Sequence, residues 1–340
     1  MAYPVLFNED VEHDILTFTL KNTDVCIANA LRRTILGNIR AVVMAKTDCN
    51  ISVNTTRFNN EILKQRFACI PICLTPNDEV SNYTVQLSKS NTTASTQFVT
   101  SGDFKVLENG KESSKKLFLP DPFTKDYIDI LRLRPKMGSV VESIQFQATL
   151  SVTTGSQTGT ANLGNCFYKA TINHEIAEQE WAKKGNDNKY EKKDWDLLDA
   201  KRYVVDNSFD ISVESYVLGI YSPTQLVQIA CKVIEKDLLT FAAPIEMKPS
   251  DTTMEKCVDI ILPGCDFTIG KIIEYYLFTT KFDIDIAYIS FLKNHPHDKH
   301  GILRIAFKDE QTEEMITTIF LDACKECIKY FNFAAELKSK

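Results

Sequence analysis

The sequence predicts an α+β fold on three observations. A strand–turn–helix unit lies near the start of the 340-residue chain, a weaker copy of it comes late, and a β-rich stretch separates them. The first unit runs from Phe18 to Ile39, FTLKNTDVCIANALRRTILGNI. Thr23 or Asp24 can N-cap its helix by accepting from backbone N–H groups that have no intrahelical partner. Ile27, Leu31, Ile35 and Ile39 recur at helical spacing with Ala28 beside them, and Gly37 weakens the helix end. Arg32 and Arg33 turn away from that stripe and stay free for a partner or for water. The copy, VDIILPGCDFTIGKIIEYYL from Val258 to Leu277, has Thr268 as its expected cap. Its stripe is Ile269, Ile272, Ile273, Tyr276 and Leu277. Two copies make no solenoid, but they fit two related half-modules, each offering an apolar helix face that only the other covers.

Taken in order, Ile15 to Leu20 is a strand leading into the first helix, and Arg40 to Val53 is strand-rich. Asn59 or Asn60 caps a short helix through Ile62, Leu63 and Phe67, which Pro71 ends. From Thr75 to Lys116 Ser, Thr, Asn and Lys dominate, with alternating strands such as Tyr83 to Leu87 and turn signals at Gly102 and Asn109-Gly110. Ile128 to Leu133 and Ile144 to Val152 continue this β-rich insert, and Ser151 to Asn165 reads as a Gly/Thr/Ser loop. Cys166 to Ile172 is a strand, and Glu175 to Arg202 is a charged, exposed excursion. Phe209 to Val217 alternates as a strand, then Ser222-Pro223 opens a helix with proline at its first position. That helix carries Leu226, Ile229, Ala230, Val233, Ile234, Leu238 and Phe241. Pro244 and Pro249 mark a linker. After the second unit come strands at Ile284 to Phe291 and Ile302 to Phe307, and a long helix from Thr312 to about Leu337. Its expected buried face is Met315, Ile316, Ile319, Phe320, Ala323, Cys327, Phe331 and Ala334. Four such amphipathic helices can close into a bundle.

Length suggests ~2 domains. A hydrophobic content of 44% with 25% charged residues suits a chain that buries a sizeable core. A net charge of −6 lacks the global signature of an independent nucleic-acid binder. The opening MAYPVLFNED has no basic segment followed by an apolar core, and no run approaches the ~20 apolar residues of a membrane span. The 10 cysteines are therefore expected as free thiols in an intracellular reducing compartment.

Cys324-Lys325-Glu326-Cys327 is a CxxC inside a helix with no second pair nearby, so packing thiols are expected there, as at Cys69 and Cys73. His295, His297 and His300 share a loop but bring no cysteine with them. A cytosolic thiol- or metal-dependent enzyme built on Cys324, Cys327 and the His295–His300 loop is the alternative reading. No Ser-His-Asp set, phosphate loop or acidic metal triad is evident, so no catalytic residue, metal or cofactor is expected.

DVCIANALRRTILGNIRAVVM resembles the signature of the RNA polymerase α-like family, which includes the bacterial α N-terminal domain and the third-largest subunit of RNA polymerase II. FNNEILKQRFACIPI and NSFDISVESYVLGIYSPTQLVQIA resemble that family's following segments. DFTIGKIIEYYL and YISFLKNHPHD resemble the eleventh subunit, with His295-Pro296 matching. Phe267 stands where that subunit has His, and Lys271 where it has Asn. The four-cysteine zinc loop of the family is absent from Thr75 to Asn165, and GSQTGTANLGN replaces its His-Ala-Lys-Trp loop.

The resemblance implies two α-like dimerisation modules paired within one chain through a four-helix core. Residues 1–45 and 203–243 form the first, with 46–202 as insert, 244–254 as linker and 255–340 as the second. Pairing is expected through Ile27, Leu31, Ile35, Leu226, Ile229, Val233, Ile269, Ile272, Ile273, Tyr276, Ile316, Phe320 and Cys327. Asn29, Arg32 and Arg33 are the expected docking residues for large subunits. The implied role is a non-catalytic scaffold of a DNA-directed RNA polymerase. Its implied partners are the two largest subunits and small zinc-binding subunits, without sequence-specific nucleic-acid contact or membrane. The fused layout resembles that of large DNA viruses, which places the chain in infected cytoplasm, virion or nucleus.

Overall fold

The computed structural model describes residues 3–12, 14–185, 188–217, 219–241 and 246–337. The chain forms β1 (Val5–Glu12), β2 (Ile15–Lys21), α1 (Val25–Gly37), β3 (Arg40–Val43), β4 (Cys49–Asn54), α2 (Asn60–Ala68), β5 (Tyr83–Ser90), β6 (Gln97–Thr100), β7 (Lys105–Glu108), β8 (Lys111–Glu112), β9 (Asp129–Leu133), β10 (Ser143–Thr149) and β11 (Ser151–Thr154). It continues as α3 (Gly155–Thr158), β12 (Gly164–Ile172), α4 (His174–Lys183), α5 (Lys189–Leu197), β13 (Val204–Ser215), α6 (Pro223–Thr240), β14 (Glu246–Pro249), β15 (Cys257–Pro263), α7 (Phe267–Lys281), β16 (Ile286–Leu292), β17 (His300–Phe307) and α8 (Glu313–Ile328). A 3₁₀ segment over Lys329–Ala335 extends α8. The fold is α+β, as the strand and helix patterns predict.

Two compact units divide the chain. The first is Met1–Thr34, Cys166–Glu214 and Val227–Lys340; the second is Ile35–Asn165 and Ser215–Leu226. These divisions fall inside α1, β12, β13 and α6, whereas the boundaries read from the sequence fall between elements.

The first unit holds two antiparallel four-stranded sheets, ordered β1-β2-β13-β12 and β14-β15-β17-β16. Leu16, Phe18 and Leu20 alternate inward along β2, opposite Val213, Ile211 and Phe209 of β13. In the second sheet Arg304 of β17 grips Asp259 of β15 through two hydrogen bonds of 2.7 Å. That fork geometry makes a largely buried charge pair tolerable. The stripes of α1, α7 and α8 are buried at Ile27, Leu31, Ile269, Ile272, Ile273, Leu277, Ile316, Phe320 and Cys327.

The second unit is built on the sheet β4-β10-β5-β7-β8, with the pairs β3-β11 and β6-β9. Asn59 caps α2 by accepting from Ile62 N. Phe67 of α2 stacks on Phe146 at 4.1 Å, and Phe104 and Phe118 close around them. Asn109 and Gly110, both at positive φ, turn β7 into β8, as that dipeptide predicts.

Several expectations are corrected. Asp266, not Thr268, caps α7, accepting from Thr268 N at 2.9 Å; a carboxylate one residue outside the helix reaches the free amide better. The buried face of α6 is Leu226, Val227, Ala230, Cys231, Ile234 and Leu238, which leaves Ile229 and Val233 half-buried on its flank. Met315 is 52% exposed, in the first turn of α8. Ser151–Thr154 is no loop: it pairs with β3. Glu246–Pro249, inside the stretch read as a linker, forms edge strand β14, a position where proline loses no ladder bond. Residues 1, 2, 242–245 and 338–340, on which module and linker bounds fall, lie outside the described residues.

The charged stretch 175–202 folds as α4, α5 and a 3₁₀ turn around Ala177, Trp195 and Ala200, with Trp181 and Tyr203 against them. Lys184 and Lys192 lie over the two tryptophan rings, so charges that read as solvated in the sequence cover an aromatic core. Residues 186 and 187 of this stretch lie outside the described residues.

Phe291 of β16 fills a socket left by two glycines. A Cβ on Gly270 of α7 or on Gly301 of β17 would come within 2.3 Å of its ring. Gly270→Ala should therefore destabilise by ~1–3 kcal/mol, the usual cost of overpacking. Gly37→Ala, where the nearest atom is 3.7 Å away, should be neutral or better. Thermal unfolding of the two variants side by side checks this.

Candidate functional site

The first unit brings the N-termini of α1 and α7 to one cleft of about 380 Å³. Asp24 begins α1, accepting from Cys26 N at 2.8 Å. Thr23, the other cap candidate, is buried. Asp266 begins α7, and its Oδ2 accepts both from Thr268 Oγ1 at 2.9 Å and from Arg33 Nη2 of α1 at 3.2 Å. Arg33 is thus engaged within the chain, contrary to the expectation that it is free. At 46% and 42% exposure this pair contributes ~0–1 kcal/mol, enough to align two helix ends and too little to hold them together. Arg32 donates twice to Asn29 Oδ1, at 3.1 and 2.8 Å, so its guanidinium is held in one orientation on the α1 surface. Phe267, Lys271, Tyr275 and Phe278 line the same cleft, with Phe267 and Phe278 about half exposed.

Behind the cleft the contacts are apolar and aromatic. Cys327 of α8 donates through its thiol to Ile272 O of α7 at 3.7 Å. Tyr330 stacks obliquely with Tyr3 at 5.7 Å and Tyr275 at 6.1 Å, and Phe333 meets Phe18 at 6.2 Å. Tyr3 donates to Glu326 at 2.6 Å, and Gln228 of α6 donates to Ala334 O at 3.4 Å. Of the expected pairing residues, Ile27, Leu31, Ile269, Ile272, Ile273, Ile316, Phe320 and Cys327 are buried here. Ile229, Val233 and Tyr276 are half-buried. Ile35 and Leu226 are buried too but belong to the second unit. Sequence periodicity missed Tyr3, Tyr275, Tyr330 and Phe333; the aromatic run after Cys327 was the available signal.

The two thiols of the CxxC are poor nucleophiles. Burial pushes Cys324 up to about 12 and Cys327 well above its ordinary value. Burial also raises Cys26, with help from Asp24 and from Cys327, and lifts Cys166 to about 12. A neutral buried thiol neither attacks nor ligates. In the histidine loop, His295 Nδ1 already accepts from His297 N at 3.1 Å. Among the described residues no group of three or more His, Cys, Asp or Glu could hold a metal ion. No described helix is long and apolar enough to cross a membrane.

The profile of the RNA polymerase Rpb3/Rpb11 dimerisation domain matches residues 17–238, more than half of the chain. The chain belongs to this family. The match takes in α1 and α6 and ends before β15 and α7. The DNA-directed RNA polymerase subunit Rpo3 of Pyrococcus horikoshii is 39% identical over 82 residues, 22% of this chain and 30% of that relative. The chain thus covers under a third of the relative's length.

Two outcomes are expected from this geometry. Asp266→Asn keeps the N-cap acceptor for Thr268 N and loses the Oδ2 that serves Arg33 and Thr268 Oγ1, so denaturant unfolding should move by about 1 kcal/mol or less; Asp266→Ala loses the cap as well and should cost ~0.5–2 kcal/mol. The raised thiols favour the folded state fully below the ordinary thiol value of ~8.5 and lose that contribution as pH climbs through about 12. Urea midpoints should fall over that alkaline window, and Cys324→Ala should flatten the fall.

Proposed function

We propose that the chain is a non-catalytic assembly subunit of a multisubunit DNA-directed RNA polymerase, in which two α-like modules pair within one polypeptide. Residues 1–45 with 203–243 form one module, 46–202 its insert, 244–254 the linker and 255–340 the eleventh-subunit-like partner. One observation carries this reading: Met1–Thr34 and Val227–Lys340 belong to one compact unit, where Arg33 reaches Asp266 and Tyr3 reaches Glu326. Such contacts support a chain that covers its own helix faces. Fusion holds the halves at an effective concentration on the order of mM, so pairing is independent of expression level.

In this reading Asn29, Arg32 and the outer side of Arg33 meet the two largest subunits. Asn29 presents the Arg32 fork already oriented for a carboxylate or carbonyl. Small zinc-binding subunits complete the assembly, and the chain makes no sequence-specific nucleic-acid contact. The fused layout fits the polymerase of a large DNA virus, in infected cytoplasm, virion or nucleus.

The tagged chain, isolated from its native source, should bring down the two largest subunits, and alone it should sediment as a monomer. Arg32→Glu should leave its circular dichroism unchanged and abolish that co-purification; normal assembly of the variant would refute the docking role. Nicking the chain between residues 241 and 246 should leave the two pieces associated, and their free separation would refute internal pairing.

A further inference from the structure

The second unit carries an arginine-rich cleft that the assembly role does not use. It has a volume of about 440 Å³ and lies between the loop that precedes α2, the last turn of α2 and strand β9. Arg57, Arg66 and Arg132 line it, in a chain whose net charge is −6. Arg66 lies over the ring of Phe58 at 5.3 Å and Arg132 over Phe98 at 4.6 Å. A guanidinium stacked on an aromatic face has lost much of its rotamer freedom already, so an incoming anion orders less. Asp129 is the acidic member of the lining, 3.6 Å from Arg132. Arg57 and Arg66 have no carboxylate partner among the described residues. Arg66 instead donates to the backbone carbonyl of Asp129 at 3.4 Å.

The strand supplies the second observation. β9 pairs with β6 in a two-stranded sheet, Phe98 opposite Arg132, and has no strand on its other side among the described residues. An open strand edge is a template for another extended chain, and natural proteins usually cover or blunt one. Here the edge runs into a cleft lined by cations.

We propose that this cleft binds an extended acidic peptide segment of a partner protein, which adds to the outer edge of β9 and sets its carboxylates on Arg57, Arg66 and Arg132. Main-chain pairing would supply affinity and alternate side chains would supply selectivity, the usual division in strand addition. A nucleic acid fits less well. Each phenylalanine already has a face occupied by an arginine, which removes stacking platforms, and the overall negative charge opposes a polyanion.

The test uses the full chain and a fluorescent blocked peptide alternating glutamate and threonine. Anisotropy should report saturable binding that weakens with salt. Arg57→Ala, an exposed position without an ion pair among the described residues, should lower affinity about tenfold, as should Arg66→Ala, the scale of one charge-assisted contact. N-methylating alternate amides of the peptide, with its charges intact, should abolish binding. Absence of peptide binding, indifference to both arginine substitutions, or equal binding of the N-methylated peptide would each overturn the proposal. So would an oligothymidylate binding more tightly than the peptide through the same arginines. None of these outcomes bears on polymerase assembly.

Discussion

Water has to be kept from the apolar stripes of α1, α7 and α8. A fully buried Ile, Leu or Phe contributes about 1.5–3 kcal/mol, and Ile27, Leu31, Ile272, Ile273, Ile316 and Phe320 are all buried. Against that sum, the Arg33–Asp266 ion pair between the two helix starts is small. Burial of these stripes outweighs the polar contact between the two helix starts. The Asp266 cap illustrates the division: the same carboxylate terminates α7 and takes the hydrogen bond from Arg33.

Much of this was legible because long periodic segments announce themselves. The stripes of α1 and α7, the Ser222-Pro223 helix start, the short helix ending before Pro71 and the Asn109-Gly110 turn all follow from local chemistry. What failed depended on distant neighbours. Nothing local distinguishes Ile229 from Val227 on α6; which one faces the core is set by what packs there. The 175–202 stretch is mostly exposed, as its charges predict, but the small aromatic core beneath it was not foreseen: the Lys184 and Lys192 ammonium groups lie over Trp195 and Trp181. The β14 edge strand was hidden by prolines, which signal a linker unless a partner strand lies on the other side.

The candidate site divided in the same way. Arg32 and Arg33 stood out together in sequence, yet the fold gives them different occupations. Arg32 is fixed by Asn29, three residues earlier in the same helix, a contact that helical spacing foretells. Arg33 reaches a carboxylate 233 positions away, which no local pattern contains. The cysteines followed composition in part: Cys324 and Cys327 are buried as packing thiols, whereas Cys73 is half-buried and Cys69, at the end of α2, is exposed.

The socket around Phe291 constrains how this fold can drift. Its ring rests on bare backbone contributed by a helix and by a strand, so three positions far apart in the chain define one volume. An added methyl at Gly270 or Gly301 has to be matched by a smaller side chain at Phe291, and a smaller side chain alone leaves a void. Related chains should therefore change at these positions as a set, and a lineage retaining the aromatic residue is committed to both glycines.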